Sequence, residues 1–475
     1  MKFEWRNLSA DHAPSAVALL LGTALLYGAF NGSQWVQFQK DTIQAAQREE
    51  KERLDSIRLE IPLVESGAKK VTAFADPRLP QSMGRNMGLK YAVMPPAALG
   101  ALAIGQSDLN PYYFKVSTYS KQTFLSSDEI ENPVHLLAGR FDIAFVILYL
   151  FPLVILAFSY NLVSSEKESG TLAMTMSQPV TLFGIVLMKV TLRAFFILVL
   201  AVSVSITAAA IGGTNLTSEG AGLRLLFWIG ITAAYGVFWF VTAIAVNALG
   251  RSSASNAIML AGIWLLFLVV IPSVLNVAVV SAYPVPSRVE LIQAMRVAGE
   301  NATRQSSKLL ANYLEDHPEL AGPRKNAGEI PDYGTLLVAV NEATERDVQP
   351  VLDRFDEQLA RQQQLVDRLR YLSPAIIAQS AFNDLAGSSG HRYNHFLTQV
   401  NQYHRRWRDF FVPRILKKEP FSPDDIDKLP TFSFQEEDIS AVRWRLLEAL
   451  AGLSLLVGLV TIPALRALKR YPIAG

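Results

Sequence analysis

The stretch Ser164 to Lys189, SSEKESGTLAMTMSQPVTLFGIVLMK, is a charged, glycine-containing connector between two long apolar runs. Phe141 to Leu162 before it is almost wholly apolar, with Asp142 its only charge, and Leu182 to Ile211 after it carries only Lys189 and Arg193 near its beginning. Each run can cross a bilayer, which takes roughly 20 apolar residues at a rise of about 1.5 Å. The connector therefore lies at one membrane face. Ser165 is placed to cap a short helix whose first turn holds Glu166 and Glu168, acids that suit the positive end of a helix dipole. Gly170 loosens the backbone, and Pro179 stops any helix before the next span.

Working outward, the chain alternates membrane-like and aqueous texture. It has 475 residues, is 50% hydrophobic and has a mean hydropathy of +0.22, values that fit a polytopic protein with sizeable aqueous parts. Its net charge is only +2 and no basic stripe carries interleaved aromatics, so a nucleic-acid partner is not expected. Cysteine is absent, which removes disulfides, thiol nucleophiles and iron–sulfur clusters.

Six spans are expected: Ser15 to Phe30, Phe141 to Leu162, Leu182 to Ile211, Leu223 to Ala248, Ala254 to Ala282 and Leu446 to Leu465. The first is read as a retained span, because no small-x-small cleavage site follows it. Gln34 to Arg58 lacks a breaker and continues that span as a solvated helix. With the amino terminus inside, the segments carrying Lys2 and Arg6, the connector, the Arg251 turn and the tail with Arg466, Lys469 and Arg470 are all short, basic and cytoplasmic. The expected organisation is thus 1–34, the amino terminus and first span; 35–138, a first extracytoplasmic insertion with a helical stalk and a small mixed subdomain; 139–283, spans two to five with a coupling segment at 164–180; 284–442, a mainly helical second insertion; and 443–475, the last span and tail. The fold class is mostly α, six transmembrane helices with two insertions forming a helical and mixed α/β external domain. In the second insertion, Arg288 to Leu314 and Thr335 to Tyr371 have the periodicity of an antiparallel helical pair joined through His317 to Gly334.

The pattern of Glu166, Gly170, Thr171, Leu172, Pro179 and Lys189 resembles the cytosolic coupling region of ABC-2-type transporter permeases. GQSDLNP at Gly105 to Pro111, ENPVHLLAGRFDIAFV at Glu131 to Val146, LSPAIIAQSAFNDLAG at Leu372 to Gly387 and HRYNHFLTQVNQYHRRWRDFFVP at His391 to Pro413 resemble the permease subgroup that carries a DUF3526-type domain. The resemblance implies an ABC-2, type V exporter-like bundle in the bacterial inner membrane, paired with itself or a sister permease, with its insertions in the periplasm. It also implies a separate ATP-binding cassette subunit, which would hold the ATP and Mg, docked on Glu166 to Met176. This chain has no G-x-x-x-x-G-K-[ST] loop, so no catalytic residue and no cofactor is expected in it. Leu172, Met174 and Met176 are expected to sit in a groove of that subunit while Glu166, Lys167 and Glu168 set register as rim charges. An alternative keeps the ATPase but transmits force to the external part and a periplasmic envelope partner, with no solute crossing.

Other polar groups have blander readings. Asn247, Asn256 and Asn276, in or beside the fourth and fifth spans, either line a path or hydrogen-bond between helices, the more frequent use. Lys189 and Arg193 are expected to snorkel towards the cytoplasmic surface. Arg140 and Asp142 stand where the second span enters the bilayer and would pair with each other or with head groups. His391, His395 and His404 raise a metal reading, but no further ligand falls at a convincing spacing, and Arg392, Arg405, Arg406 and Arg408 make the surroundings positive, so no metal is expected. The aromatics Tyr393, Phe396, Tyr403, Trp407 and Phe410 are expected to pack on the membrane surface or on the helical pair, with the arginines facing lipid phosphates or acidic groups.

Overall fold

The computed structural model describes residues 12–72, 74–119, 141–211, 220–285, 288–320 and 333–471. The expectations for Lys2, Arg6 and Arg140, for the sequence 131–140, and for most of the loops at 212–222 and 317–334 lie outside these residues. Among the described residues, six helices are long and apolar enough to cross a membrane, which is the character of a multi-pass membrane protein.

The first span does not stop at the bilayer. Helix α1 runs unbroken for 54 residues, His12–Glu65, roughly 80 Å at the α-helical rise. Its far half buries Trp35, Ile43, Leu54, Ile57 and Ile61 in an apolar core separate from that of the bundle. Strands β1 (Lys90–Val93) and β2 (Tyr113–Val116) pair antiparallel beside it, Lys90 opposite Val116. The second span comprises Ile143–Phe145, a wide turn at Val146–Leu150 and α2 (Phe151–Ser159). The connector forms α3 (Ser164–Glu168) and α4 (Thr171–Met176). The next spans are α5 (Leu182–Ile211), α6 (Ala221–Asn247) and the pair α7 (Ser253–Leu265) and α8 (Ile271–Ala282), which flank a second wide turn at Leu266–Val270.

The two wide turns share one cause. Each precedes a proline, Pro152 or Pro272, whose ring would clash with the carbonyl four residues back and which has no N–H to give it. Carbonyls freed in an apolar bundle need other donors. Tyr235 Oη donates to Leu148 O, four before Pro152, at 2.8 Å, and Ser373 Oγ to Phe267 O, five before Pro272, at 2.6 Å; Trp264 Nε1 adds a bond to the neighbouring Tyr149 O at 3.2 Å.

Beyond the fifth span, α9 (Arg288–Arg304) and α10 (Ser306–Asp316) pack against α11 (Tyr333–Leu369). The pair is antiparallel, since Gln362 near the end of α11 donates to Tyr283 O just before α9. Then come α12 (Pro374–Ala386), α13 (Gly390–Lys417) and the last span, α14 (Ile439–Lys469). In α13, Phe396, Val400, Tyr403, Trp407, Phe411 and Ile415 recur every three or four residues and are buried against α1 and the strands. Packing on the membrane surface is thereby corrected: the aromatics form the interior of the part built on the stalk, and composition alone cannot separate such a stripe from an interfacial belt. The arginines meet acids, Arg392 on Glu436 at 2.6 Å and Arg408 on Glu345 and Glu342.

Two elements from the inserted segments enter the bundle's own core. Leu99, Leu102 and Ala103 of one loop, and Ile377, Ala381, Phe382 and Leu385 of α12, belong to the same apolar cluster as the spans, with Phe382 against Trp228 at a ring separation of 4.3 Å. The boundaries at 35–138 and 284–442 therefore divide the sequence but not the packing. Asp142 holds the loop in place: its carboxylate accepts from Phe145 N at 2.7 Å, capping the second span, and from Ile104 N at 2.8 Å. Neither a head group nor Arg140 is needed to explain its burial. Gly32 on α1 lets this loop approach, since a Cβ there would stand 1.9 Å from Ala101 O, and Gly28 one turn earlier does the same for the backbone of Asp142 at the start of the second span. Gly32→Ala is expected to destabilise the protein by about 3 kcal/mol or more, because backbone atoms rather than a movable side chain must give way. Gly22→Ala, whose Cβ would lie 3.8 Å from Leu200, is expected to leave the melting temperature of the detergent-purified protein nearly unchanged.

Candidate functional site

An α-helix leaves its last carbonyls without intrahelical partners, and the end of the second span lies inside a bundle where water is scarce. Four side chains from three other spans satisfy them. Arg193 of α5 donates to Phe158 O, Asn247 of α6 to Ser159 O at 2.8 Å, Asn256 of α7 to Tyr160 O at 3.2 Å and Lys189 of α5 to Leu162 O at 3.0 Å. Two of the four are cations, the sign that the negative end of a helix dipole favours.

These contacts place several of the residues singled out in the sequence. Asn247 and Asn256 are buried, joined to each other at 3.3 Å, and each fastens its helix to the end of the second span. Asn276 lies apart from them, exposed on α8. Lys189 does not snorkel: its side chain is 7% exposed and its ammonium pairs with Glu166 at 2.7 Å. Arg193 likewise turns to a carbonyl instead of the surface. A terminal carbonyl within reach outcompetes solvent for these cations, a choice that spacing along α5 does not reveal.

The connector is tied down by the same kind of contact. Glu168 accepts from the backbone N of Ser253 at 2.6 Å and from its hydroxyl at 2.9 Å, placing an acid at the amino end of α7. Ser164 Oγ meets Ser253 Oγ at 2.9 Å, and Lys167 lies within 3.5 Å of Gly250 O with Tyr471 beneath it at 5.6 Å. The charges expected at a partner's rim thus have partners in their own chain. Ser165 is exposed inside α3 and caps nothing, the cap position being Val163. Gly170 breaks the connector between α3 and α4 at φ +72°, a left-handed conformation that costs glycine little and other residues more.

Leu172, Met174 and Met176 do not share a docking face. On a helix, positions four apart lie on one side and the position between them on the other. Leu172 is 1% exposed in the bundle's core and Met176 packs partly against that core, while Met174 is 76% exposed. Thr171, Ala173, Ser177, Gln178 and Pro179 are exposed with it. The connector has a fixed back and an open, small-residue front. At the other end of the chain, His395 meets Gln435 O at 3.0 Å and His404 meets Tyr119 O at 2.8 Å, so these imidazoles serve backbone carbonyls.

Sequence reading missed Tyr235, Trp264 and Ser373 as carbonyl donors, although Pro152 and Pro272 within apolar runs were the signal that donors had to exist. Among known proteins, residues 288–435, from the start of α9 to just before α14, match the family described as Domain of unknown function (DUF3526). No curated protein matches the chain.

Breaking the Glu166–Lys189 pair from either side is expected to have unequal effects. Glu166→Gln leaves a buried ammonium without its counter-charge, which costs towards the lower end of the roughly 3–5 kcal/mol seen for buried pairs, because Glu166 keeps 28% of its exposure. Lys189→Met removes the charge itself and leaves Leu162 O without this donor, an unmade hydrogen bond that costs about 1–3 kcal/mol, and is expected to cost less than the uncompensated charge. Thermal melting of the two variants in one detergent decides the order, and a greater loss for Lys189→Met would contradict this account.

Proposed function

We propose that the chain is the membrane subunit of an ATP-driven ABC-2-type transporter of the bacterial inner membrane. It works as a homodimer or with a sister permease and exports its substrate. A separate ATP-binding cassette subunit, which carries the ATP and Mg, docks on the connector from the cytoplasm. In this reading both termini are cytoplasmic and both insertions are periplasmic, as the short basic segments require. The observation that carries the reading is the connector's construction. Its back is joined to the third span through Glu166, to the fifth through Glu168 and Ser164, and to the bundle core through Leu172, while its front, around Met174, is exposed. A push on such a front cannot be absorbed by a slack loop and moves the second, third and fifth spans together.

A second reading, transmission of force to the external part without passage of a solute, draws on two observations. Helix α1 runs unbroken from the bundle into the separate core on the stalk, and α12 is seated between α6 and α14. Both provide stiff connections between ATP-driven movement and an envelope partner. An ATPase-active complex in sealed vesicles that moves its external helices but releases no solute is the behaviour this reading requires.

The docking surface is tested at Met174. Met174→Asp changes an exposed side chain and is expected to lower co-purification with the ATP-binding subunit about tenfold while leaving the melting temperature of the isolated chain unchanged. Leu172→Arg is a poor probe, because it places a charge in the core and unfolds the region for other reasons. Undiminished co-purification of Met174→Asp would remove the connector as the docking site.

A further inference from the structure

Between α11 and α13 lies a cleft of about 630 Å³, within the rough 300–1,000 Å³ range of small-molecule sites. Its α11 wall presents Glu342, Glu345 and Gln349, spaced three and four apart and so on one face. Its α13 wall presents Asn401, His404, Arg405 and Arg408, again one face, with the exposed Asp409 beside them. The walls are therefore of opposite sign, acidic on α11 and largely basic on α13. They touch through Arg408, which reaches Glu345 and lies 3.6 Å from Glu342. Val412 and Pro413 complete the lining of the α13 side.

One lining group needs a partner. The Oδ1 of Asn401 is buried and has no hydrogen-bond partner among the described residues, which is costly unless something that enters the cleft donates to it. The position of the cleft narrows the candidates. Roughly 36 Å of helix separates Glu345 from Leu369, near where Arg370 pairs with Glu448 of the last span at 2.8 Å. Run along the membrane normal, that length carries the cleft beyond the head groups, and its occupant then comes from the aqueous side.

We propose that this cleft binds a zwitterion of the amino-acid or short-peptide class, its ammonium held by Glu342 and Glu345 and its carboxylate by Arg405 with Arg408. A dipolar ligand matches two walls of opposite charge, whereas a simple cation or anion would face one wall of its own sign. A carboxylate suits the planar guanidinium fork. The proposal concerns the external part alone and does not depend on the connector or on an ATP-binding partner.

The test uses the full chain in lipid nanodiscs. The free amino acids and trialanine are screened by thermal shift, and binders are then titrated by calorimetry beside their N-acetylated and C-amidated forms. At least one probe is expected to bind saturably, with either cap weakening it tenfold or more. Preference for a free amino acid or for trialanine separates the two sources of the same chemistry. Arg405→Gln and Glu342→Gln are each expected to weaken binding about tenfold, and the exposed position of Arg405 makes its variant safe for folding. The absence of any binder, equal binding of capped and free forms, or binding that survives both substitutions would each overturn the proposal.

Discussion

Backbone carbonyls that lose their helical partners inside an apolar bundle must be met by donors from elsewhere, and this requirement organises the molecule. It arises at two places. Pro152 and Pro272 free carbonyls within spans, and the end of the second span frees more beside the connector. The donors are Tyr235, Trp264 and Ser373 in the first case and Arg193, Asn247, Asn256 and Lys189 in the second. Among the polar groups that stand in the apolar runs, Lys189, Arg193, Asn247 and Asn256 have this task, while Asn276 is exposed. The bundle is thus joined by polar contacts at set points, against a background of packing that has little orientation of its own.

The mechanical consequence is that both ends of the bundle are stiff. At the connector end, α3 is tied to α5 by Glu166 and to α7 by Glu168. At the other end, the loop around Leu102 and the helix α12 fill the space between spans, and Ser373 joins α12 to the wide turn of the fifth span. Displacement entering at the connector has a continuous route of packed helices and short hydrogen bonds to the inserted segments. In the proposed transporter this route couples nucleotide chemistry to the far side. The cleft between α11 and α13 stands at the end of that route, where a bound ligand would sense the movement of α11 against α13.

The spans were legible from composition because roughly 20 apolar residues in a row have few other uses. The continuation of α1 was legible too, since nothing between Gln34 and Arg58 breaks a helix. The helical pair in the second insertion followed from its 3.6-residue period. The connector was recognisable as a connector, but not which side of α4 faces outward. Leu172 and Met174 are both apolar, and only the packing of the bundle distinguishes them. For Asn247 the sequence favoured a fastening over a path residue, but an amide in a span is suited to both until its neighbour is known.

The sequence by itself thus determined what depends on length, period and local chemistry: six apolar helices, a stalk, a helical pair and a short charged connector. The tertiary structure alone decided what depends on partners distant in the chain. Lys189 is a buried counter-ion because Glu166 folds back over it, the loop near Ala101 needs Gly32 because backbone meets backbone there, and α12 joins the bundle because Trp228 and Phe382 meet. A side chain's donors, acceptors and volume are written in its type. Whether they are spent on lipid, water or another helix depends on which groups the fold brings within about 3 Å.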